Sequence, residues 1–455
     1  LLAQKAANLV LTITAPAGFE AEKAYACTVL MGELLGVPWR LQFSPGARHY
    51  RVVLPNGRTL LIEDGFWGHI RPGEHYCRSA YLPARAVRMP VPFGEMSDVV
   101  GIYGNAMFSM GADEGYCGVD IVASTFFMLT RWEEAASSER DALGRFPGYA
   151  SLAYRAGFLH RPIVNEYARF LRQVFARLEF HLPPARSTAR LHLSCDVDHP
   201  RLWWSPVGRL RTLASSLLRR KNPRETLWWL HHGLLRRGDP FDVFEAWMGQ
   251  AEQKGLTWHF NFLGDPQGRA DAHYSLRHPS VKRLLQRIAE RGHVIGFHPS
   301  RQAHDNSAVF EQELSTLRQA APTPVTTGRQ HYLCFSVPNT WQLWADAGMQ
   351  WDSTLGYPEA EGFRCGTCCD FPVFNIHTRQ VLPLREKPLI AMDVTLARYR
   401  RYTPKQALAR LRSLWRTVQE HGGELVLLWH NSSWNDYFWK DWQPVLETCW
   451  REWIG

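Results

Sequence analysis

The 455-residue chain has no run of eighteen or more apolar residues, which leaves it without a segment that reads as a transmembrane helix. Its first residues, Leu1-Leu-Ala-Gln-Lys-Ala-Ala-Asn8, lack the charged region, long apolar region and cleavage site of a secretory leader. A cytoplasmic protein is the expectation, and a start at Leu1 rather than Met leaves a removed leader open. The nine cysteines form no paired framework: the count is odd and the positions are scattered, which favours a reducing compartment. Internal repeats and low-complexity tracts are also missing, so solenoid and fibrous architectures are excluded. Acidic residues are scarce in one stretch, where nine Arg or Lys between Arg201 and Arg237 face the single acid Glu225.

That stretch alone carries +8 of a net charge of +9, and the rest of the chain is nearly neutral. It also holds Trp203-Trp204 and Trp228-Trp229, and Leu210 to Arg220 has helical spacing with a basic face. A basic helical insertion over 201–240 follows. It could lie at the periphery of an anionic inner-membrane surface, grip an acidic glycan, or simply cover the sheet as a solvated helix. No nucleic-acid partner is expected, because no fingers, zipper or stacking module accompanies the charge.

A chain of this length, with 45% apolar residues, can build two or three domains. In the first part, Asn8 to Ile13, Tyr50 to Leu54 and Thr59 to Ile62 read as short strands, with Pro55-Asn-Gly57 as a tight turn. Helical periodicity follows in Val119 to Leu129 and Ile163 to Phe180. His181-Leu-Pro-Pro184 and Arg186-Ser-Thr188 then suggest a linker. Downstream, strand-like and helix-like segments alternate. Ala189 to Cys195, Thr257 to Leu263, Val294 to Phe297, Leu389 to Met392 and Leu425 to Trp429 read as strands; Val281 to Arg291, Glu311 to Ala320 and Pro404 to Gln419 read as helices. The fold class is therefore α/β, with 1–185 as an N-terminal α+β accessory domain and 186–455 as the main domain.

The chemistry gathers at the ends of those strands. Leu193-Ser-Cys-Asp-Val-Asp-His-Pro200 ends an apolar run with Asp196 and Asp198, which share one face of a strand and can address one water. Gly296-Phe-His-Pro-Ser300, Gly328-Arg-Gln-His-Tyr332 and Leu427-Leu-Trp-His-Asn431 each accompany another short apolar run. Strand ends are where open α/β sheets and barrels present ligands, so a catalytic rim is expected.

These four motifs, in this order, resemble those of the polysaccharide deacetylase superfamily, the NodB-like carbohydrate esterases. The divergent bacterial members with an extra N-terminal domain are the nearer match. The regions Thr125 to Glu134 and Gly144-Arg-Phe-Pro147 resemble that N-terminal domain. The resemblance implies a distorted (β/α) barrel and a metal-dependent hydrolase that removes acetyl groups from N-acetylated sugars or polysaccharide, with zinc as the expected divalent ion. Carried over by position, Asp196 matches the general base and Asp198 a metal ligand, although the family's acids are usually adjacent. His298 matches the first histidine ligand. The position of the second, four residues on, is Gln302, so His331 is the first choice for a third ligand and His304 the alternative. Arg329 matches the arginine that pairs with the base, and His430 the acid that protonates the departing amine. Asp352 is placed slightly ahead of Asp393 as its orienting carboxylate. Trp429 and Trp434 are candidates for an apolar floor or for packing.

Two other chemistries are weaker readings. Cys365-Gly-Thr-Cys368-Cys369 would need two further ligands to hold a structural zinc, and Cys195, inside an apolar run, reads as a packed residue rather than a nucleophile. The departure at Gln302 sustains an alternative function: a catalytically degenerate deacetylase fold that binds glycan or assists surface-polysaccharide assembly.

Overall fold

The computed structural model describes residues 10–71, 73–94, 96–183, 188–232, 238–266, 271 and 274–453. The expected linker therefore lies partly outside the described residues, as does the end of the basic stretch.

The first part forms β1 (Leu11–Pro16), β2 (Trp39–Ser44), β3 (His49–Val53), β4 (Thr59–Glu63), β5 (Val87–Pro90), β6 (Asp98–Gly101), β7 (Gly104–Met110) and β8 (Glu114–Val119). Six of these make one sheet in the order β2-β1-β3-β4-β8-β7, and β5 and β6 pair separately. The predicted turn between β3 and β4 is present: Gly57, at φ 86°, donates its N–H to the Leu54 carbonyl at 2.9 Å. The helix Ile121–Thr130 is buried along its whole length, and the Asp120 carboxylate caps it by accepting from the Ala123 N–H at 2.8 Å. Its Phe126 meets both Tyr25 and Phe374, with ring centroids 6.1 and 5.4 Å away. An apolar surface on all sides is what that sandwiched position demands.

The second sheet has nine strands in the order β14-β15-β13-β12-β11-β10-β9-β17-β16. They are β9 (Arg190–Val197), β10 (Trp258–Phe262), β11 (Val294–Phe297), β12 (Thr327–Gly328), β13 (Trp351–Asp352), β14 (Phe371–Asn375), β15 (Gln380–Glu386), β16 (Ala391–Met392) and β17 (Glu424–Leu428). All neighbours are parallel except β14 and β15. Helices alternate with the strands, as in Pro279–Glu290, Ser307–Ala320 and Pro404–His421. The last opens with a capping box between Thr403 and Gln406 and stops at Gly422 in the left-handed region.

The architecture is mixed α/β with several sheets, and the expected barrel is not closed among the described residues. At one edge β14 turns back antiparallel on β15; at the other, β16 offers only two residues of backbone and pairs with β17 alone. These two edge strands are not hydrogen-bonded to each other. No helix among the described residues is long and apolar enough to cross a membrane. The first part packs directly on the second, with the Tyr25 hydroxyl donating to the Pro372 carbonyl at 2.8 Å.

Candidate metal centre and proton-transfer groups

Parallel register brings the motifs to one end of the second sheet. Asp196 on β9 lies beside Asn261 on β10, and Asn261 beside Gly296 on β11. His298 follows β11, Arg329 and His331 follow β12, Asp393 follows β16 and His430 follows β17. Every one of these positions is a C-terminal strand end, where side chains project off the sheet into a shared space.

Asp198, His298 and His331 converge, their ligand atoms all within 4.8 Å of one another. The Nε2 atoms of His298 and His331 lie 3.3 and 3.5 Å from Asp198 Oδ1. His298 Nδ1 is 2.7 Å from the Arg329 carbonyl oxygen, and His331 Nδ1 is 2.6 Å from Asp271 Oδ1. A carbonyl and a carboxylate only accept, so each Nδ1 is the donor. In its neutral form each ring would turn an Nε2 lone pair toward a carboxylate oxygen that is itself an acceptor. Asp198 Oδ1 is buried and has no hydrogen-bond partner. A proton could bridge one pair of these atoms, whereas a divalent cation satisfies all three. An Asp/His/His donor set of this kind suits zinc and similar ions. Burial would raise Asp198, but His331, His298 and His430 hold it well below the usual carboxylate range.

Asp196 is built differently. Its Oδ1 accepts from Arg329 Nη1 at 2.9 Å and Asn261 Nδ2 at 2.7 Å, which leaves Oδ2 toward the pocket, 3.9 Å from His298 Nε2. Burial opposes its ionisation, yet Arg329, then His298 and His430, bring its pKa below the ordinary value. Arg329 is fully buried and spends its remaining donors on the Ser353 carbonyl at 2.7 Å and on the hydroxyls of Ser194 and Ser353 at 2.9 and 3.1 Å. Such a clamp fixes both the charge and the direction of Asp196. Asn261 can reach Asp196 because residue 296 has no side chain: a Cβ there would sit 2.0 Å from Asn261 Oδ1.

The carboxylate beside His430 is Asp393, not Asp352. Asp393 accepts from the His430 backbone N–H at 2.9 Å and lies 2.8 Å from Nδ1, while Nε2 faces Asp198 Oδ2 at 3.9 Å. Burial works against the imidazolium, but Asp393, Asp198 and Asp196 together raise His430 to about 9. Asp352 sits opposite Glu386 across the β13–β15 ladder, and burial raises its pKa. It accepts from Thr354 Oγ1 at 2.5 Å, and Thr354 in turn accepts the Gln330 N–H at 3.0 Å. Its place is thus under the loop that carries Arg329 and His331. The expectation failed because both acids lie at the ends of short strands and only the strand order distinguishes them: β16 adjoins β17, whereas β13 does not.

Other candidates fall outside the cluster. His304 points Nδ1 at the Arg301 carbonyl 2.7 Å away and takes no place among the converging atoms; Gln302 is exposed. Trp429 and Trp434 are buried in packing, Trp434 against Trp247 and Trp450, and neither lines the pocket. The Cys365, Cys368 and Cys369 thiols gather no metal-holding group among the described residues. Burial raises the Cys195 thiol well above its ordinary value, so it remains a packed residue. Sequence reading missed Asp271 and Asn261, which lie outside the motifs and are identified only by what they touch.

The space above these groups is a pocket of about 160 Å³, walled by Leu333, Pro358, Met392, Val394 and Leu428. Small-molecule sites usually span ~300–1,000 Å³, so this pocket suits a small acyl group better than a whole ring. Its rim is partly built by Arg145, which is held by Asp141 and donates to the Tyr332 carbonyl at 2.7 Å. Tyr332 and Leu333 are in the left-handed region, at φ 59° and 56°, a costly backbone state that this contact helps to hold.

A model of a family of unknown function, DUF7033, matches residues 11–179. No curated protein matches the chain. Among solved structures, the chain is similar to one from Mycobacterium smegmatis provisionally titled a polysaccharide deacetylase, with TM-score 0.38 and 14% sequence identity over 60% of this chain and 86% of that one. At that level of similarity, a functional reading has to stand on the site itself.

Proposed function

We propose that the chain is a metal-dependent hydrolase that releases acetyl groups from N-acetylated sugars or polysaccharide. The observation that carries this reading is the buried, unpartnered Asp198 Oδ1 facing two histidine Nε2 atoms, beside one ionised acid and one protonated base. Asp198, His298 and His331 would hold the ion, with zinc the expected choice. When bound, it polarises the acyl carbonyl and lowers the pKa of a water.

The chain's own groups do the rest. Asp196 takes the attacking water's proton on Oδ2, because Arg329 and Asn261 occupy Oδ1. His430 carries a proton on Nε2 toward the departing nitrogen, and Asp393, accepting from Nδ1, holds the charged ring in place. Amide cleavage needs this acid, since the nitrogen leaves poorly as an anion. The apolar wall at Met392, Val394 and Leu428 accepts the acetyl methyl and limits water. In this reading residues 1–185 are an accessory α+β unit that contributes Arg145 to the rim, and 186–455 are the catalytic unit.

The test pairs metal content with acetate release from N-acetylated oligosaccharides. Wild type should retain about one divalent ion per chain, and Asp198→Ala should lose both the ion and acetate release. Retention of the ion without acetate release would leave a glycan-binding protein. Failure to bind any divalent ion, with Asp198→Ala matching wild type in acetate release, would remove the hydrolase reading.

A further inference from the structure

The basic stretch folds as a helical hairpin whose sides are reversed. Its first arm is Pro206–Ala214 continued by the wider turn Ser215–Arg219, and its second is Pro223–Leu230. Polar groups fill the inside. Ser216 is buried and shares a hydrogen bond with Thr226 at 2.9 Å, Trp203 Nε1 donates to Thr212 at 3.1 Å, and the buried Glu225 accepts from Trp229 Nε1 at 3.2 Å and pairs with Arg220 at 2.8 Å. Apolar side chains face out instead. Val207, Leu210, Ala214, Leu217 and Leu218 recur at i, i+3, i+7, i+10 and i+11, which is one stripe of a helix. Leu210, Leu218 and Leu227 are 66%, 73% and 65% exposed. A soluble hairpin would bury that stripe.

Charge selects the occupant. Arg209, Arg211, Arg219, Lys221 and Arg224 are all exposed on the same hairpin, and the only acid of the stretch, Glu225, is inside. Two copies packed through this face would bring like charges together. An apolar stripe flanked by cations is the pattern of a helix lying in the interface of an anionic bilayer. We propose that the hairpin 206–230 docks the protein on an anionic phospholipid surface. The proposal goes beyond the hydrolase reading and does not depend on it. The cleft beside the hairpin is lined by Arg211, Arg220, Tyr437, Phe438 and Arg398, and the next residue, Tyr399, lines the metal pocket. Docking would therefore bring the pocket close to the lipid headgroups.

The full chain is sedimented with vesicles of pure phosphatidylcholine and with vesicles containing about one third phosphatidylglycerol. Expected partition onto the anionic vesicles is at least about tenfold stronger and falls as salt is added. Neutralising Arg219 and Arg224 together to Gln should weaken it by about 25-fold, near fivefold per cation. Leu217→Asn with Leu218→Asn should abolish the binding that survives high salt, while circular dichroism stays that of wild type. Equal partition onto both vesicle types, or unchanged partition in both pairs of variants, would overturn the proposal. So would self-association that the leucine variants abolish, in a chain that stays in the supernatant when the vesicles pellet.

Discussion

Replacing Asp271 by Asn tests the proposed metal centre without touching a proposed ligand. Asp271 accepts the Nδ1–H of His331 at 2.6 Å and also the backbone N–H of Arg301 at 3.0 Å. Both its burial and the hydrogen bond from His331 matter: burial opposes the anion, but His331 and the Arg301 amide lower its pKa below the ordinary value. An amide oxygen at the same place can still accept from Nδ1, so ring orientation is largely kept while the charge that makes Nε2 a stronger donor to a cation is lost. Outer partners of metal-bound histidines are usually worth ~10–100-fold in affinity, or about 1.4–2.8 kcal/mol. His298 supplies an internal contrast, because its Nδ1–H is accepted by the Arg329 backbone carbonyl, which no side-chain change removes. The assay is competition for zinc between a chromophoric chelator and the metal-stripped chain, with near-ultraviolet circular dichroism as the check on folding. Asp271→Asn should bind zinc about 10–100-fold more weakly, whereas Asp393→Asn, which touches only the His430 side of the pocket, should not. A folded Asp271→Asn protein with wild-type zinc affinity would refute the assignment of His331 as a ligand.

Three further outcomes follow from the same contacts. In the metal-free chain His430 should titrate near 9 by histidine NMR; because that value is raised, its share of stability is full below the ordinary histidine range of ~6.5 and disappears as pH climbs through about 9. Asp393→Asn should move the titration down, and an unmoved curve would count against the pair. Glu134, buried between Arg131 at 2.8 Å and Arg364 at 2.9 Å, should cost about 3–5 kcal/mol in urea unfolding when changed to Gln, since Arg364 loses its carboxylate and Arg131 is left with Glu133 alone. Its pKa is lowered, with Arg364 the largest influence after the opposing effect of burial, so its contribution is present above the usual carboxylate pKa and lost as pH falls through the lower folded value; an acid-insensitive wild type would contradict this. Arg329→Lys should destabilise the chain and lower turnover with little change in KM, because an ammonium cannot serve Asp196, Ser194 and Ser353 together; unchanged turnover would show that Asp196 is aimed by other means.

The sequence made the strand-end chemistry legible because each motif couples an apolar run, which sets the strand, to polar residues that immediately follow it. Asp196, Asp198, His298, Arg329, His331 and His430 are adjacent in space for that reason. What it could not supply was lateral order. Asp352 ends, and Asp393 follows, a strand of only two residues, too short for periodicity, and the choice between them depends on which strand lies beside β17. The antiparallel direction of the edge strand β14 is another non-local property, set by pairing with β15 rather than by its own composition. Asp271 and Asn261 carry no local signature, since an acid in a loop and an amide on a strand have many ordinary uses. The helical stripe of the hairpin was visible as periodicity, but only the fold shows that the stripe faces outward.

The missing side chain at Gly296 has a wider consequence for reading related sequences. Asn261 occupies the room that a methyl group would take, and through Asn261 that room reaches the oxygen of Asp196 that must stay anchored. A relative could retain every acid, histidine and arginine of the rim, carry alanine at this one place, and have the carboxylate at the place of Asp196 turned away. Inventories of reactive side chains would score such a sequence as intact. Judging whether the rim is intact in a related sequence thus requires counting what is vacant on β11 as carefully as what is present on β9.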